Sequence, residues 1–252
     1  VACSRYPAII RIILPGQMSI PVWLKLSGGW YGQDGASNNA YVRLLHVGRN
    51  ASRSAGMTDT QAPVPPLRAA IIPVTPLQQN CTLLWCTATG KGAFVDPGGD
   101  LDRLTQAAAQ QGVEIEKILV THGHIDHCGQ AGVLAARLGV PIEGPHEDDR
   151  FWIAQLGEDG RKYGIDGKVF EPDRWLVDGD TVTVGNLTLD VIHCPGHTPG
   201  HVVFHHAPSH VAMVGDVLFQ GSIGRTDFPL GNHQDLIDAI TLKLWPLGAD
   251  TT

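Results

Sequence analysis

Three histidines and one aspartate fall within a short stretch of the chain, Thr121-His122-Gly123-His124-Ile125-Asp126-His127. His122 and His124 are two residues apart at the end of an apolar run typical of a strand, so their rings leave the backbone on the same side. Asp126 and His127 come where the chain should turn into a helix, so they point to a second position beside the first. Imidazole nitrogen and carboxylate oxygen, without thiolate, are ligands of catalytic zinc, iron or manganese. The spacing therefore predicts a metal site.

Two later segments offer further ligands at strand ends, where functional residues often gather. Cys194-Pro195-Gly196-His197-Thr198-Pro199-Gly200-His201 places His197 in a rigid loop, and Gly215-Asp216 places a carboxylate after another strand. Each pattern alone is common in loops and turns. The alternative for the first cluster is a solvated histidine-rich turn. Eleven of the twelve histidines lie at or after residue 122, and this density favours the metal site.

Taken together, HGHIDH, the GH at His197 and the Asp of GDVLF resemble the metallo-β-lactamase-fold superfamily over residues 70–252. The resemblance implies an α/β fold, a four-layer αββα sandwich with the metals at one edge. It also implies the ligands of two metal ions. The first ion would be held by His122, His124 and His197, and the second by Asp126 and His127, with Asp216 bridging the two.

Three further motifs are most similar to the short glyoxalase II-type hydrolases: VDPGGD at Asp96, HCPGHTPGHVVF, and GRTDF at Arg225. This resemblance implies hydrolysis of a thioester such as a 2-hydroxyacyl-glutathione, with a hydroxide shared by two zinc ions as the nucleophile. Iron and manganese are the alternatives to zinc. Asp126 would orient the hydroxide, and Asp96 would support the metal-binding loop. Arg225 either pairs with a substrate carboxylate or pairs with Asp227.

The chain departs from the family pattern at its C-terminal end. Family members normally continue past the last helix with a strand and a further histidine in a closing loop, whereas this sequence stops at Thr252. We therefore expect the last strand and the closing loop to be missing through truncation, and the second metal to bind more weakly. His210 and His233 are less favoured substitutes for the missing ligand, since each is equally well explained as a loop or helix-cap residue.

Other activities remain open at this point. The main alternative is a persulfide dioxygenase. This related enzyme binds one iron through two histidines and an aspartate, and it also carries GRTDF. A lactonase is another option, and a catalytically poor fragment that binds a single metal is a third. A nuclease is disfavoured because residues 70–252 carry a net charge of −12, which repels a polyanion. By resemblance, a small-molecule thioester is the expected partner, while oligomeric state stays open.

The division of charge predicts two regions in the 252-residue chain, whose net charge is −7. Residues 1–69 carry +5, contain no Glu and are broken by Gly-rich and Pro-rich stretches, so we expect an irregular or non-native extension, with Met57 as a candidate translation start. Residues 70–252 would form the metallo-β-lactamase-like domain. No apolar run approaches the roughly 20 residues that span a bilayer, so no membrane contact is expected.

The cysteines and the local patterns complete the prediction. Five cysteines at irregular spacing indicate reduced thiols in a cytoplasmic protein, and Cys128 and Cys194 are expected to pack as small apolar residues rather than act as nucleophiles. Short apolar runs predict strands, and segments with helical periodicity predict helices. The predicted strands include AAIIPV, NCTLLWC, KILVTH and HVVFHH, and the predicted helices are LDRLTQAAAQQ between Asp100 and Gly112, AGVLAARLG, DDRFWIAQL and HQDLIDAITLKLWPLG.

Overall fold

The computed structural model describes residues 43–45, by their backbone, and residues 64–252. The expectations for the remainder of the first 63 residues, including the translation start at Met57, lie outside these residues. Within the described part of the chain, no helix is both long and apolar enough to cross a bilayer.

A six-stranded sheet forms the first half of the fold, with the strands in sequence order across it. The first four strands pair antiparallel, and β4, β5 and β6 pair parallel. The strands are β1 (Arg43–Leu45), β2 (Leu67–Val74), β3 (Gln79–Cys86), β4 (Lys91–Val95), β5 (Glu114–Leu119) and β6 (Ile142–Glu143). β1 lies in the region expected to be irregular, and β2 crosses the predicted boundary between residues 69 and 70.

A second, antiparallel sheet of four strands follows, in the order β10-β9-β8-β7. Its strands are β7 (Thr181–Val184), β8 (Leu187–His193), β9 (Val202–His206) and β10 (Val211–Met213). A short hairpin of β11 (Leu218–Phe219) and β12 (Ser222–Ile223) comes next. The segment around Trp175 lies outside the strands, next to an isolated bridge between Glu143 and Arg174.

Among the described residues, five α-helices connect or flank the strands: α1 (Leu101–Gln111), α2 (Ile125–Cys128), α3 (Ala131–Leu138), α4 (Arg150–Tyr163) and α5 (His233–Asp238). α1 begins after Asp100 and ends before Gly112, as predicted. α5 leads into a π-helix, Ala239–Leu244, and a 3-10 turn, Trp245–Leu247.

α4 continues beyond the predicted DDRFWIAQL through the polar sequence GEDGRKY. Its buried face consists of Trp152, Ile153, Leu156 and Gly160, and the polar side chains occupy the opposite face. A Cβ at Gly160 would press on the Ile165 carbonyl and the Gly167 amide. The glycine therefore allows the chain after α4 to pack directly on the helix.

Three apolar clusters show how the elements are layered. Alternate residues of each strand point to opposite faces, as in β3, where Leu83 packs with the helices and Leu84 packs with the second sheet, both fully buried. The middle cluster contains residues of both sheets. The third cluster packs the outer face of the second sheet against α5 and the π-helix, with Val203 and Leu236 at its centre. The layers are helix, sheet, sheet and helix, which is the predicted αββα sandwich.

Candidate metal centre

His122, His124 and His197 meet at one buried point. His122 and His124 follow β5, and His197 lies in the loop between β8 and β9, so the two sheets contribute to the same point. His124 Nδ1 is 3.1 Å from His122 Nε2 and 3.0 Å from His197 Nε2. The three rings are at most 8% exposed.

The hydrogen bonds around these rings leave their nitrogen lone pairs facing one another. The Arg225 carbonyl oxygen accepts a hydrogen bond from His197 Nδ1 at 2.8 Å, so Nε2 of a neutral His197 carries the lone pair. Thr121 Oγ1 donates to Asp96 and therefore accepts from His122 Nδ1 at 3.0 Å, which leaves a lone pair on His122 Nε2 as well. A single proton on His124 Nδ1 can be donated to only one of these two lone pairs. A cation bound by all three nitrogens satisfies the whole arrangement.

The pKa values of these histidines favour the neutral, metal-binding form. Burial lowers the pKa of His122 and His124 well below the usual histidine value, and neighbouring imidazoles lower both further. Burial also lowers the pKa of His197. His124 Nε2 is buried with no hydrogen-bond partner among the described residues. The three residues thus fit a divalent ion bound through nitrogen.

Asp126, His127 and Asp216 form a second group beside the first. His127 Nε2 lies 3.2 Å from Asp216 Oδ1 and 3.8 Å from Asp126 Oδ2. The other oxygen of Asp216 is 3.5 Å from His197 Nε2, so this carboxylate faces both groups. Burial opposes a positive charge on His127, but the carboxylates of Asp216 and Asp126 raise its pKa well above the usual value. The two carboxylates thus favour a positive charge at this position. The distances place all six predicted ligands in one cluster.

Asp96 holds the second group in place from behind. Its Oδ1 accepts from the Thr121 amide at 2.7 Å, and its Oδ2 accepts from Thr121 Oγ1 at 2.6 Å and from His127 Nδ1 at 2.9 Å. Because the carboxylate accepts the Nδ1 proton, the lone pair of neutral His127 lies on Nε2, which faces Asp216. The backbone at Asp96 has φ 57°. A Cβ at the nearby Gly98 would overlap the Asp126 carbonyl, so the VDPGGD sequence allows this loop to pack against α2.

Asp149 is a structural member of the site that the sequence analysis missed. It is fully buried, and its carboxylate accepts from the Gly123 amide at 2.8 Å, from Thr198 Oγ1 at 2.8 Å and from the Gly200 amide at 2.6 Å. These donors belong to the loops that carry His124 and His197. Burial raises the pKa of Asp149 to about 6, although its three hydrogen bonds act in the opposite direction.

GRTDF takes part mainly through its backbone and its aromatic ring. The side chain of Arg225 donates to both oxygens of Asp227, at 2.7 and 2.6 Å, which is the second of the two arrangements considered for it. Phe228 lies 4.7 Å from His124 between ring centroids, and Trp152 lies 4.5 Å from His124. These two aromatic rings, which the sequence analysis did not single out, form an apolar wall beside the candidate metal position.

The remaining histidines and cysteines of interest take other roles. His201 stacks on His122 and accepts from the Asp216 amide at 3.1 Å, so it positions a ligand. The metal-binding clusters of the described residues contain neither His210 nor His233. Cys128 and Cys194 are buried, and burial raises the pKa of both thiols, to about 12 for Cys194. Both thiols stay protonated, in agreement with a packing role.

Comparison with known proteins decides the family. The family profile described as the metallo-beta-lactamase superfamily matches residues 74–252. The chain belongs to this superfamily. It is 43% identical over 182 residues to "Hydroxyacylglutathione hydrolase GloC" of Haemophilus influenzae. The alignment covers 71% of this chain and 85% of that protein.

Two solved structures share the fold. The first, "Crystal structure of BLEG-1 B3 metallo-beta-lactamase", has a TM-score of 0.66 and 34% identity, covering 73% of this chain and 88% of that chain. The second, "Crystal structure of TTHA1623 in a di-iron-bound form", has a TM-score of 0.60 and 29% identity, covering 68% and 83%. The superfamily and the α/β fold expected from the motifs are confirmed, and the chain is a member of a metallo-hydrolase superfamily.

Proposed function

We propose that the protein is a metal-dependent hydrolase of a small thioester of the 2-hydroxyacyl-glutathione type. The observation that carries this proposal is the convergence of four imidazoles and two carboxylates from both sheets on one buried cluster. The 43% identity to a protein named hydroxyacylglutathione hydrolase supports the substrate class. Zinc is the proposed metal, at two positions, and iron is the alternative that a di-iron superfamily structure supports.

Each residue of the cluster has a proposed task. His122, His124 and His197 would hold the first ion through the nitrogens described above, and Asp126 and His127 would hold the second. Asp216 would serve both, since one of its oxygens faces each group. Divalent ions in such a pair act as Lewis acids and lower the pKa of water towards about 7, which provides hydroxide at neutral pH.

The substrate class also agrees with the groups around the cluster. A thiol leaves with a pKa of about 8.5, so cleavage of a thioester depends little on a general acid. Phe228 and Trp152 would exclude water from one side of the cluster and pack against the acyl group. The side chain of Asp126 is 22% exposed, and it would bind the second metal ion and orient the attacking hydroxide. The balance of −12 over residues 70–252 disfavours nucleic acid as a partner.

The proposed location is the cytoplasm. The described cysteines are free and buried, which suits a reducing compartment.

Metal analysis beside a thioesterase assay tests the proposal. We expect purified protein to bind zinc and to hydrolyse lactoylglutathione, and we expect His124→Ala to lose both the ion and at least about 100-fold of activity because it removes a ligand. His210→Asn is the matched control, since His210 pairs with Asp250 away from the cluster, and it should keep both properties. Metal-loaded wild-type protein without thioesterase activity, or an active His124→Ala variant, would contradict the proposal.

A mono-iron persulfide dioxygenase is the second candidate function. His122 and His197 together with Asp216 offer two imidazoles and one carboxylate, which is the ligand set of many oxygen-activating iron enzymes. This candidate requires one iron per chain and oxygen uptake with glutathione persulfide. A third outcome, a bound metal with neither activity, would identify a metal-binding chain without catalytic function.

A further inference from the structure

A separate cluster of metal-binding groups lies outside the candidate centre. It consists of His146 and Asp148, in the segment between β6 and α4, and His193, the last residue of β8. One ligand atom from each of the three residues lies within 4.8 Å of the other two. His146 and His193 are partly buried and Asp148 is exposed, so the cluster is open to ions from solvent.

One distance within the cluster already matches that between two ligands of a tetrahedral site. Ligands at about 2.0–2.2 Å from zinc stand about 3.3–3.6 Å apart. His146 Nδ1 and Asp148 Oδ2 are 3.3 Å apart, within that range. The rings of His146 and His193 stack with centroids 4.4 Å apart and planes 17° from parallel, so both imidazoles lie beside the same position, and their rings would have to turn for both lone pairs to point at one ion.

The protonation of His193 favours binding through its free nitrogen. Its Nε2 lies 2.8 Å from the Pro199 carbonyl oxygen, which only accepts, so Nε2 carries a proton and the lone pair of the neutral ring lies on Nδ1. Burial lowers the pKa of His193, which keeps the ring neutral at pH 7. His146 Nδ1 accepts a long bond of 3.2 Å from the Asp148 amide, and this bond would be exchanged for coordination.

The charges around the cluster permit a cation. Lys243 is the nearby positive group, but its ammonium donates to Asp178 at 3.1 Å and to the His193 carbonyl at 2.7 Å. Its charge is therefore compensated by the carboxylate of Asp178. The carboxylate of Asp148 remains to balance the charge of a bound ion.

We propose that His146, Asp148 and His193 form a further binding site for a divalent transition-metal ion such as Zn²⁺ or Co²⁺. Two imidazole nitrogens and one carboxylate oxygen suit these ions better than Ca²⁺ or Mg²⁺, which take oxygen ligands. Solvent water completes the coordination at this accessible position.

The ion would join two segments that both contact the loop carrying His197. His193 donates to Pro199 in that loop, and the His146 amide donates to the Gly200 carbonyl at 3.0 Å. A bound ion adds a third link between the segment before α4 and the end of β8. We therefore expect it to stabilise the folded protein, since an ion that binds only the native state raises its stability.

Equilibrium dialysis against Co²⁺, followed by metal analysis, tests the site. Wild-type protein should bind one equivalent more than Asp148→Ala, which removes the exposed carboxylate, or show about tenfold tighter binding of that equivalent, worth about 1.4 kcal/mol. Asp250→Ala is the matched control because Asp250 forms a pair of similar length with His210, 3.2 Å, without a third ligand. It should bind as wild type does. Excess Co²⁺ should raise the melting temperature of wild type and Asp250→Ala more than that of Asp148→Ala.

A second variant guards against misfolding of the first. His193→Gln keeps a donor for the Pro199 carbonyl while removing the imidazole, and it should lose the same equivalent. Circular dichroism identifies any variant that fails to fold, and the other variant then decides. Equal stoichiometry and equal affinity in wild type, Asp148→Ala, His193→Gln and Asp250→Ala would overturn the proposal, whatever the thioesterase activity of these proteins.

Discussion

Replacing Asp96 with Asn should change which nitrogen of His127 carries the proton. The Asn amide oxygen takes the place of Oδ1 and still accepts from the Thr121 backbone, while the Asn NH₂ group takes the place of Oδ2. That NH₂ group then donates to His127 Nδ1, which must accept, so the ring proton moves to Nε2. The proton then occupies the position where the proposed second ion would bind. The left-handed backbone at residue 96 tolerates Asn, so the effect is confined to hydrogen bonding.

The size of this effect follows from the contacts that are lost. Replacing a partner that holds a metal-binding histidine typically weakens metal affinity by about 10- to 100-fold, equal to about 1.4–2.7 kcal/mol. We expect this loss at the second position. The first position should change less, because residue 96 bonds directly to His127 but reaches His122 only through Thr121 Oγ1.

Calorimetric titration of metal-free protein with Zn²⁺ measures the two positions separately. Asp100→Asn is the control, since Asp100 lies in the same loop at φ 54°, is exposed, and accepts from the Thr75 amide instead. It removes the same charge and should leave both affinities unchanged. Equal weakening of both ions in Asp96→Asn, or no weakening, would refute the reasoning from the His127 tautomer.

Three further predictions concern the packing around the site. Gly98→Ala should disrupt the contact between this loop and α2, because the added Cβ overlaps the Asp126 carbonyl. Metal content measured by mass spectrometry should therefore fall, and normal content would contradict this. Leu83→Ala should lower the free energy of unfolding in urea by about 2–5 kcal/mol, since Leu83 is fully buried, and a loss below 1 kcal/mol would contradict its core position. The folded-state pKa of Asp149 is raised to about 6, so its contribution to stability is full below the unfolded value and is lost as the pH rises. The stability of metal-free wild type relative to Asp149→Asn should therefore fall by about 2 kcal/mol between pH 4 and pH 6, and urea titrations showing a rise would refute this.

The spacing of residues could predict the first part of the cluster, and the family resemblance added His197, Asp216 and the supporting Asp96, but neither indicated Asp149. His122 and His124 are neighbours in sequence, and strand alternation alone puts their rings on one side. Asp149 has no such local signal, because its donors, Gly123 and Gly200, are distant in sequence and meet only in the folded chain. The position of Phe228 beside His124 depends in the same way on tertiary packing.

Two elements of the fold show the same limit. β1 forms by pairing with β2, and its three residues, Arg43–Leu45, carry too little pattern to indicate a strand. α4 extends through GEDGRKY because Gly160 fits against the following chain, a contact that composition does not show. In both cases packing outweighs the local preference of the residues, against a strand distant in sequence for β1 and against the segment just after the helix for α4.

The proposed ligands lie on segments from both sheets, so they become available in a fixed order as the chain is synthesised. The segment holding His122 to His127 leaves the ribosome first, while His197 and Asp216 are made much later. A nascent chain therefore offers an incoming ion only part of its coordination sphere, from the first sheet alone. The complete set of proposed ligands would exist only after the second sheet has been synthesised and has packed on the first, so the proposed ion would bind with all its ligands late in folding.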